Sequence, residues 1–172
     1  MPRRIIIAAA LVLLAGCAGP MRGPSTDPPA VRDGDLRRLS GAQWKGTLSY
    51  LDYRSNRKTT IPSHVTFTQS AGDPRAWIVA YGYPEEPRAN SVDTVTVSAD
   101  GRSIGDETVV ERTMLPDGTV RVVTWGMGRD NDRDATFRFT YLIGGSRVSI
   151  RKEVMHEGSA EYFERNEYAW TR

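Results

Sequence analysis

Few side chains in this sequence are of a type and spacing that could do chemistry. Cys17 is the only cysteine, and its thiol is the one group here able to form a thioether. There are two histidines. His64 lies between Pro62 and Thr66, on the face opposite Ile61, Val65 and Phe67, so the alternation of a strand aims it outward. His156 sits in the polar stretch Met155-His156-Glu157-Gly158. Asp130-Asn131-Asp132-Arg133-Asp134 has the carboxylate density of a calcium loop. Counted from Asp130, however, its sixth residue is Ala135 and its twelfth Tyr141, where an EF-hand requires Gly and Glu. Arg129 and Arg133 also offset the charge, so a solvated hairpin loop is expected there. Glu85 and Glu86 stand between prolines and read as a polar loop rather than an acid/base pair. There is no Gly-x-Ser-x-Gly elbow and too few histidines for a Ser-His-Asp triad to be evident. No catalytic residue, metal site or cofactor is expected.

Binding is the chemistry the aromatic residues suggest. Strand side chains alternate, so each strand offers one set to an interior. Phe137, Phe139, Tyr141 and Ile143 share one face. Trp77, Val79, Tyr81 and Tyr83 share another, and Tyr162, Tyr168 and Trp170 a third. Lys152 alternates with Val148, Ile150 and Val154, which puts an ammonium on an apolar face. An interior lined this way suits an apolar or amphipathic ligand touching Trp77, Tyr81, Phe139, Tyr141, Lys152 and Tyr168. The same aromatics would also serve as a solid core. An interior Lys152 would pair with a ligand carboxylate or phosphate, since burying a lone cation is costly; at a rim it would snorkel to water. Asn166 and Glu164 pose the same choice on the last strand.

The elements that place these residues begin with an address. Arg3 and Arg4, the apolar run Ile5 to Leu14, and the small residues Ala15 and Gly16 follow the three-part pattern of a secretory signal. A membrane-spanning helix needs about 20 apolar residues, far more than this run supplies. Leu14-Ala15-Gly16-Cys17 resembles the lipobox of bacterial lipoproteins. That resemblance implies a diacylglycerol thioether on Cys17, cleavage after Gly16 and acylation of the new amine. Two or three acyl chains at about 0.8 kcal/mol per buried methylene give a stable anchor. Ala18, where the sorting rule would place Asp for inner-membrane retention, implies the outer membrane, with the domain facing the periplasm.

Residues 1–16 are thus expected to be a signal peptide and 17–35 an acylated cysteine with a flexible tether. Pro20, Pro24, Pro28 and Pro29 punctuate that tether, which would span on the order of 25 Å. Residues 36–172 make the folded domain. The signal holds two of the 23 basic residues and none of the 21 acidic ones, so the remainder is formally neutral. Without a basic stripe there is no electrostatic reason to bind nucleic acid. With no second cysteine, stability must come from packing rather than a disulfide.

After one helical turn around Leu36 and Leu39, strand signals run to the end. Candidate strands are 46–53, 59–68, 76–83, 91–98, a short piece near Ile104, 108–115, 119–127, 135–143, 147–154 and 162–172. Turn residues such as Asp100-Gly101, Pro116-Asp117-Gly118 and Gly144-Gly145 separate them. Good helix formers over 159–168 leave a short helix as an alternative there. The pattern predicts an all-β, antiparallel up-and-down meander of about 8–10 strands closing into a barrel. Leu39-Ser40-Gly41-Ala42-Gln43-Trp44-Lys45-Gly46 resembles the opening of lipocalin-like barrels, fatty-acid-binding proteins and nitrobindins, with one extra residue between the Gly and the Trp. The lipocalin resemblance implies a helical plug, a closed barrel with an interior cavity, and an Arg from the last strand, Arg172 or Arg165, packed over Trp44. The nitrobindin resemblance would make His156 the axial ligand of a haem.

Two functions follow as expectations. One is a membrane-anchored module binding a small lipophilic molecule in the cell envelope. The other is a structural lipoprotein with a solid barrel, whose loops 84–90 and 128–134 contact an envelope protein. In both, Cys17 is the membrane attachment. Cys17→Ala is therefore expected to shift the protein almost wholly from the membrane to the soluble fraction after a salt wash, with folding unchanged by circular dichroism.

Overall fold

β-Branched and aromatic residues at alternate positions, interrupted by short Gly, Asn, Asp and Pro turns, give ten strands in the computed structural model, which describes residues 27–172. Cys17, the signal and most of the tether lie outside the described residues. The strands are β1 (Gln43–Asp52), β2 (Arg57–Gln69), β3 (Ala76–Gly82), β4 (Ser91–Thr96), β5 (Ser103–Ile104), β6 (Glu107–Met114), β7 (Val120–Asp130), β8 (Arg133–Ile143), β9 (Arg147–His156) and β10 (Phe163–Thr171). All pairings are antiparallel, in the order β4-β3-β2-β1-β10-β9-β8-β7-β6-β5. This is a meander whose first strand also pairs with its last. Its two edges meet at the single bridge Val97–Ile104, so the barrel is nearly closed. No helix among the described residues is long and apolar enough to cross a membrane.

Closure depends on close approach at β1. A side chain on Gly46 would put its Cβ 1.9 Å from the Ala169 carbonyl of β10, so only glycine lets these strands meet. One end of the barrel, here the base, is sealed by the N-terminal segment. Val31 is buried and its N–H donates to the Gly101 carbonyl at 2.8 Å, so packing starts ahead of Leu36. Gly101 has φ +72°, and a Cβ there would lie 2.3 Å from that Val31 oxygen. The short helix α1 (Asp33–Arg37) carries Leu36 onto the core. Trp44 is fully buried and donates its indole N–H to the Leu39 carbonyl at 2.8 Å. The Arg172 guanidinium sits 4.5 Å from its ring centroid, so Arg172, rather than Arg165, covers Trp44.

Two local features depart from the sequence expectation. The 128–134 stretch is not a solvated loop. β7 and β8 run on to Asp130 and Arg133, and Asn131 and Asp132, with φ +50° and +62°, make a two-residue turn of the kind that matches strand twist. Asp130 is consequently a strand residue, turned inward and buried. On β10 the register slips between Glu164↔Glu153 and Asn166↔Lys152. This bulge at Arg165 reverses the alternation, so Tyr162 does not share the inner face of Tyr168 and Trp170. Its ring instead lies under Arg138, 4.3 Å from the guanidinium carbon, on the outer surface.

The plug is fixed by one buried ion pair. Arg112 of β6 donates through Nε and an Nη to the two Asp35 oxygens, both at 2.7 Å, and the Arg32 N–H adds a third bond at 2.8 Å. Burial works to raise the Asp35 pKa, but the Arg112 hydrogen bonds, the Arg32 amide and the two guanidinium charges outweigh it, and the carboxyl is held below its ordinary value. Its contribution is present above the unfolded carboxylate pKa and is lost as pH falls through the depressed folded value. Asp35→Ala strands Arg112 in the interior and is expected to cost about 3–5 kcal/mol in urea unfolding at neutral pH. The deficit should shrink as the wild type is titrated below the carboxylate range.

Candidate functional site

The barrel is hollow. Between the plug and the opposite rim lies a cavity of about 470 Å³, and a second of about 430 Å³ adjoins it at the rim, sharing Lys152, Asn166 and Tyr168 as lining. The inner face of β7 explains the space. From base to rim it reads Val120, Val122, Thr124, Gly126, Gly128, Asp130, so side chains vanish halfway up. Gly128 is filled by the Phe137 ring, whose edge would lie 2.7 Å from a Cβ at that position. At Gly126 a Cβ would meet only ordinary contacts, the nearest being Glu107 Cγ at 3.6 Å.

The cavity also reaches a gap in the wall. β5 and β6 turn over at Gly105-Asp106, and above them the upper edges of β4 and β7 carry no strand partner. Thr94, Val95, Gly105, Asp106, Glu107, Gly126 and Met127 line the cavity there.

Trp77, Tyr81, Phe139, Tyr141, Lys152 and Tyr168 all line the main cavity. Trp77 is buried toward the base. Tyr81 lies 5.4 Å from Tyr168, which stacks on Trp170 at 4.7 Å and shares a 2.7 Å hydrogen bond between hydroxyls with Tyr83. Phe139 and Tyr141 stack along β8, 6.4 Å apart. Burial pushes the Tyr81 phenol up to about 12, and lifts those of Tyr141 and Tyr168 as well. All three are therefore neutral hydroxyls at physiological pH. The Lys152 ammonium lies 3.9 Å from the Phe137 centroid. Burial lowers its pKa, Asp130 and Glu107 pull it back up, and Arg165 lowers it further. Of the last-strand pair, Asn166 lines the cavity, whereas Glu164 points outside and bridges to Lys58 at 2.5 Å.

Two polar groups go beyond the sequence reading. Glu107 is half-buried at the gap, and its Oε2 accepts from the Thr124 hydroxyl and, at 2.9 Å, from Tyr141. At the rim, Asp130 Oδ2 accepts from the Tyr53 hydroxyl and is 3.0 Å from His156 Nε2, while its Oδ1 lies 3.4 Å from Arg165 Nε. His156 Nε2 is thus engaged at the rim, and His156 is not among the residues lining the main cavity, a position that does not suit an axial haem ligand. Among the described residues no group of three or more His, Cys, Asp or Glu could hold a metal ion. Glu107 follows a Gly-Asp turn in a strand of mixed polarity, and Asp130 looked like a loop residue, so sequence pattern alone gave no reason to turn either inward.

No family model matches the chain, and no curated protein does. Among solved structures it is similar to the crystal structure of Rv2717c from M. tuberculosis, with a TM-score of 0.56 and 12% identity over 84% of this chain and 99% of that one. At that identity the likeness shows the fold alone, a nearly closed ten-stranded antiparallel barrel.

Burial is the largest influence on Glu107 and raises its pKa above 4.5, against the opposing bonds from Thr124 and Tyr141 and the charge of Lys152. A carboxyl whose pKa rises on folding costs stability above that value. The loss sets in as pH climbs from the unfolded pKa toward the folded one. Glu107→Gln, which keeps the acceptor oxygen, is expected to raise the melting temperature at neutral pH, the gain vanishing below about pH 4. Thermal unfolding across that range checks it.

Proposed function

We propose that this protein binds a small apolar or amphipathic molecule inside its barrel, in the cell envelope, while a lipid on Cys17 holds it to the outer membrane. The observation that carries the reading is the hollow interior. About 470 Å³ of space lined by aromatic and aliphatic side chains, with a few inward polar groups, has the size and character of a small-molecule site. A barrel built only to present loops to a protein partner would gain packing energy by filling that volume, because unfilled apolar space forfeits dispersion contacts. The nearly closed meander barrel is consistent with this reading.

The membrane attachment rests on the signal-like segment and on Leu14-Ala15-Gly16-Cys17, and Ala18 favours the outer membrane over the inner. The neutral domain supplies no electrostatic attraction of its own, so the acylated cysteine would be the anchor. No residue of the interior is assigned a catalytic role.

The test is occupancy of the cavity. Purified protein should carry a co-purifying small molecule by native mass spectrometry, or bind an environment-sensitive apolar dye such as 1-anilinonaphthalene-8-sulfonate with one-to-one stoichiometry. Gly126→Leu projects an isobutyl group into the space without a steric conflict at its Cβ, and is expected to weaken dye binding by roughly tenfold or more with the fold intact. Unchanged binding in that variant would place the dye elsewhere.

A further inference from the structure

Of the charged side chains lining the two cavities, Asp106 and Glu86 are exposed to solvent, and among those turned into the interior one is unmatched. The Asp130 carboxylate is taken by Tyr53, His156 and Arg165, and Glu107 by Thr124 and Tyr141. Lys152 lies where the two cavities meet, and among the described residues its ammonium makes no ion pair and no hydrogen bond. It lies over the faces of Phe137 and Phe139, 3.9 and 5.6 Å from their ring centroids. Asn166, its register partner on β10, and the Tyr81 hydroxyl also line the main cavity with no side-chain hydrogen bond among the described residues. Three donors with nothing to donate to thus line one space. Toward the plug from Lys152 the inner faces become Ile150, Val148, Val122 and Ile143, and the one carboxylate near them, Glu107, is held by the Thr124 and Tyr141 hydroxyls.

We propose that Lys152, with Asn166 and Tyr81, forms the head-group subsite for a monoanionic amphiphile, a carboxylate lying against the ammonium and a single aliphatic tail in the apolar chamber toward the plug. This rests on the ligand-binding reading above and names the ligand's class. One unpaired ammonium balances one negative charge; a dianionic head would add a second charge in a region already holding the Asp130, Glu107 and Asp106 carboxylates. At about 30 Å³ per non-hydrogen atom, the space accommodates on the order of fifteen such atoms, one tail and not two.

The test is calorimetric titration of the full chain, below micelle-forming concentrations, with three probes of equal tail length: dodecanoate, dodecanol and dodecylammonium. Dodecanoate should bind roughly tenfold or more tighter than dodecanol, as a charge-assisted bond predicts, and dodecylammonium weakest. Lys152→Met should bring dodecanoate down to the affinity of dodecanol and leave dodecanol unchanged, while Lys152→Arg keeps the preference. Equal binding of acid and alcohol by the wild type, or a preference that survives in Lys152→Met, overturns the head-group assignment and leaves the apolar cavity reading standing. No binding of any of the three probes overturns both. The wild-type comparison is decisive even if Lys152→Met fails to fold.

Discussion

The Asp35–Arg112 pair gives this barrel a bottom. A meander that closes on itself makes a tube with two ends, and what distinguishes a cup from a pore is a lid fixed to one of them. Here the lid is a five-residue helix, too short to be stable alone. Its position is set by a bidentate bond between side chains that are 4% and 10% exposed. Burying two ions is repaid only when geometry is good and the remaining lone pairs are satisfied; both Asp35 oxygens and the Arg32 amide meet that condition. The direction of the bond also specifies the lid's orientation, which apolar contacts from Leu36 and Leu39 alone would not. Everything above the lid inherits a closed floor.

On that floor the interior is layered along each strand. At the base Trp44, Val65, Val120, Val148 and Trp170 are essentially inaccessible and pack as an ordinary core. Midway the walls become aromatic on β3, β8 and β10 while β7 changes to glycine, so large rings line a space rather than fill it. At the rim the inward groups are Asp130, His156 and Arg165, the last two both held by the Asp130 carboxylate. A polar rim over an aromatic chamber over a dry base is a gradient of polarity along the barrel axis. The wall gap between β4 and β7 opens onto the middle layer, so the aromatic chamber is reached from the side as well as from the rim.

Most of this architecture is legible in the sequence. The ten strands fall where alternation and turn residues place them, to within a few residues at each end, because period-two patterning and Gly, Asn and Pro turns are local signals. The inner faces of β3, β8 and β9 were legible for the same reason. What failed was non-local or subtle. The Arg165 bulge flips Tyr162 outward, and nothing in the local alternation announces an inserted residue. Asp130 and Glu107 turn inward because distant Tyr53, His156, Thr124 and Tyr141 satisfy them, and partners brought together only by the fold leave no trace in a linear pattern. The hollow itself depends on Gly126 standing at an inward position in an otherwise valine-rich strand, a substitution of nothing for something that composition does not register.

The cost of leaving Lys152 uncompensated bears on how the site works. A cation over an aromatic face recovers on the order of 0.5–2 kcal/mol, less than an ion pair in a desolvated site. The pKa of Lys152 is lowered by burial, and Asp130 and Glu107, each committed to other donors, offset this only in part. A bound anion would supply what these carboxylates do not. It would stabilise the charged form of Lys152 and draw the pKa back toward that of a free lysine, so proton uptake and anion binding are coupled through one side chain. The neutral hydroxyl of Tyr81 and the amide of Asn166 add donors without adding charge, so they favour an anionic head without competing for its balance. On the proposed reading the selectivity of the interior would therefore reside in Lys152, and the aromatic walls would supply the affinity that does not depend on it.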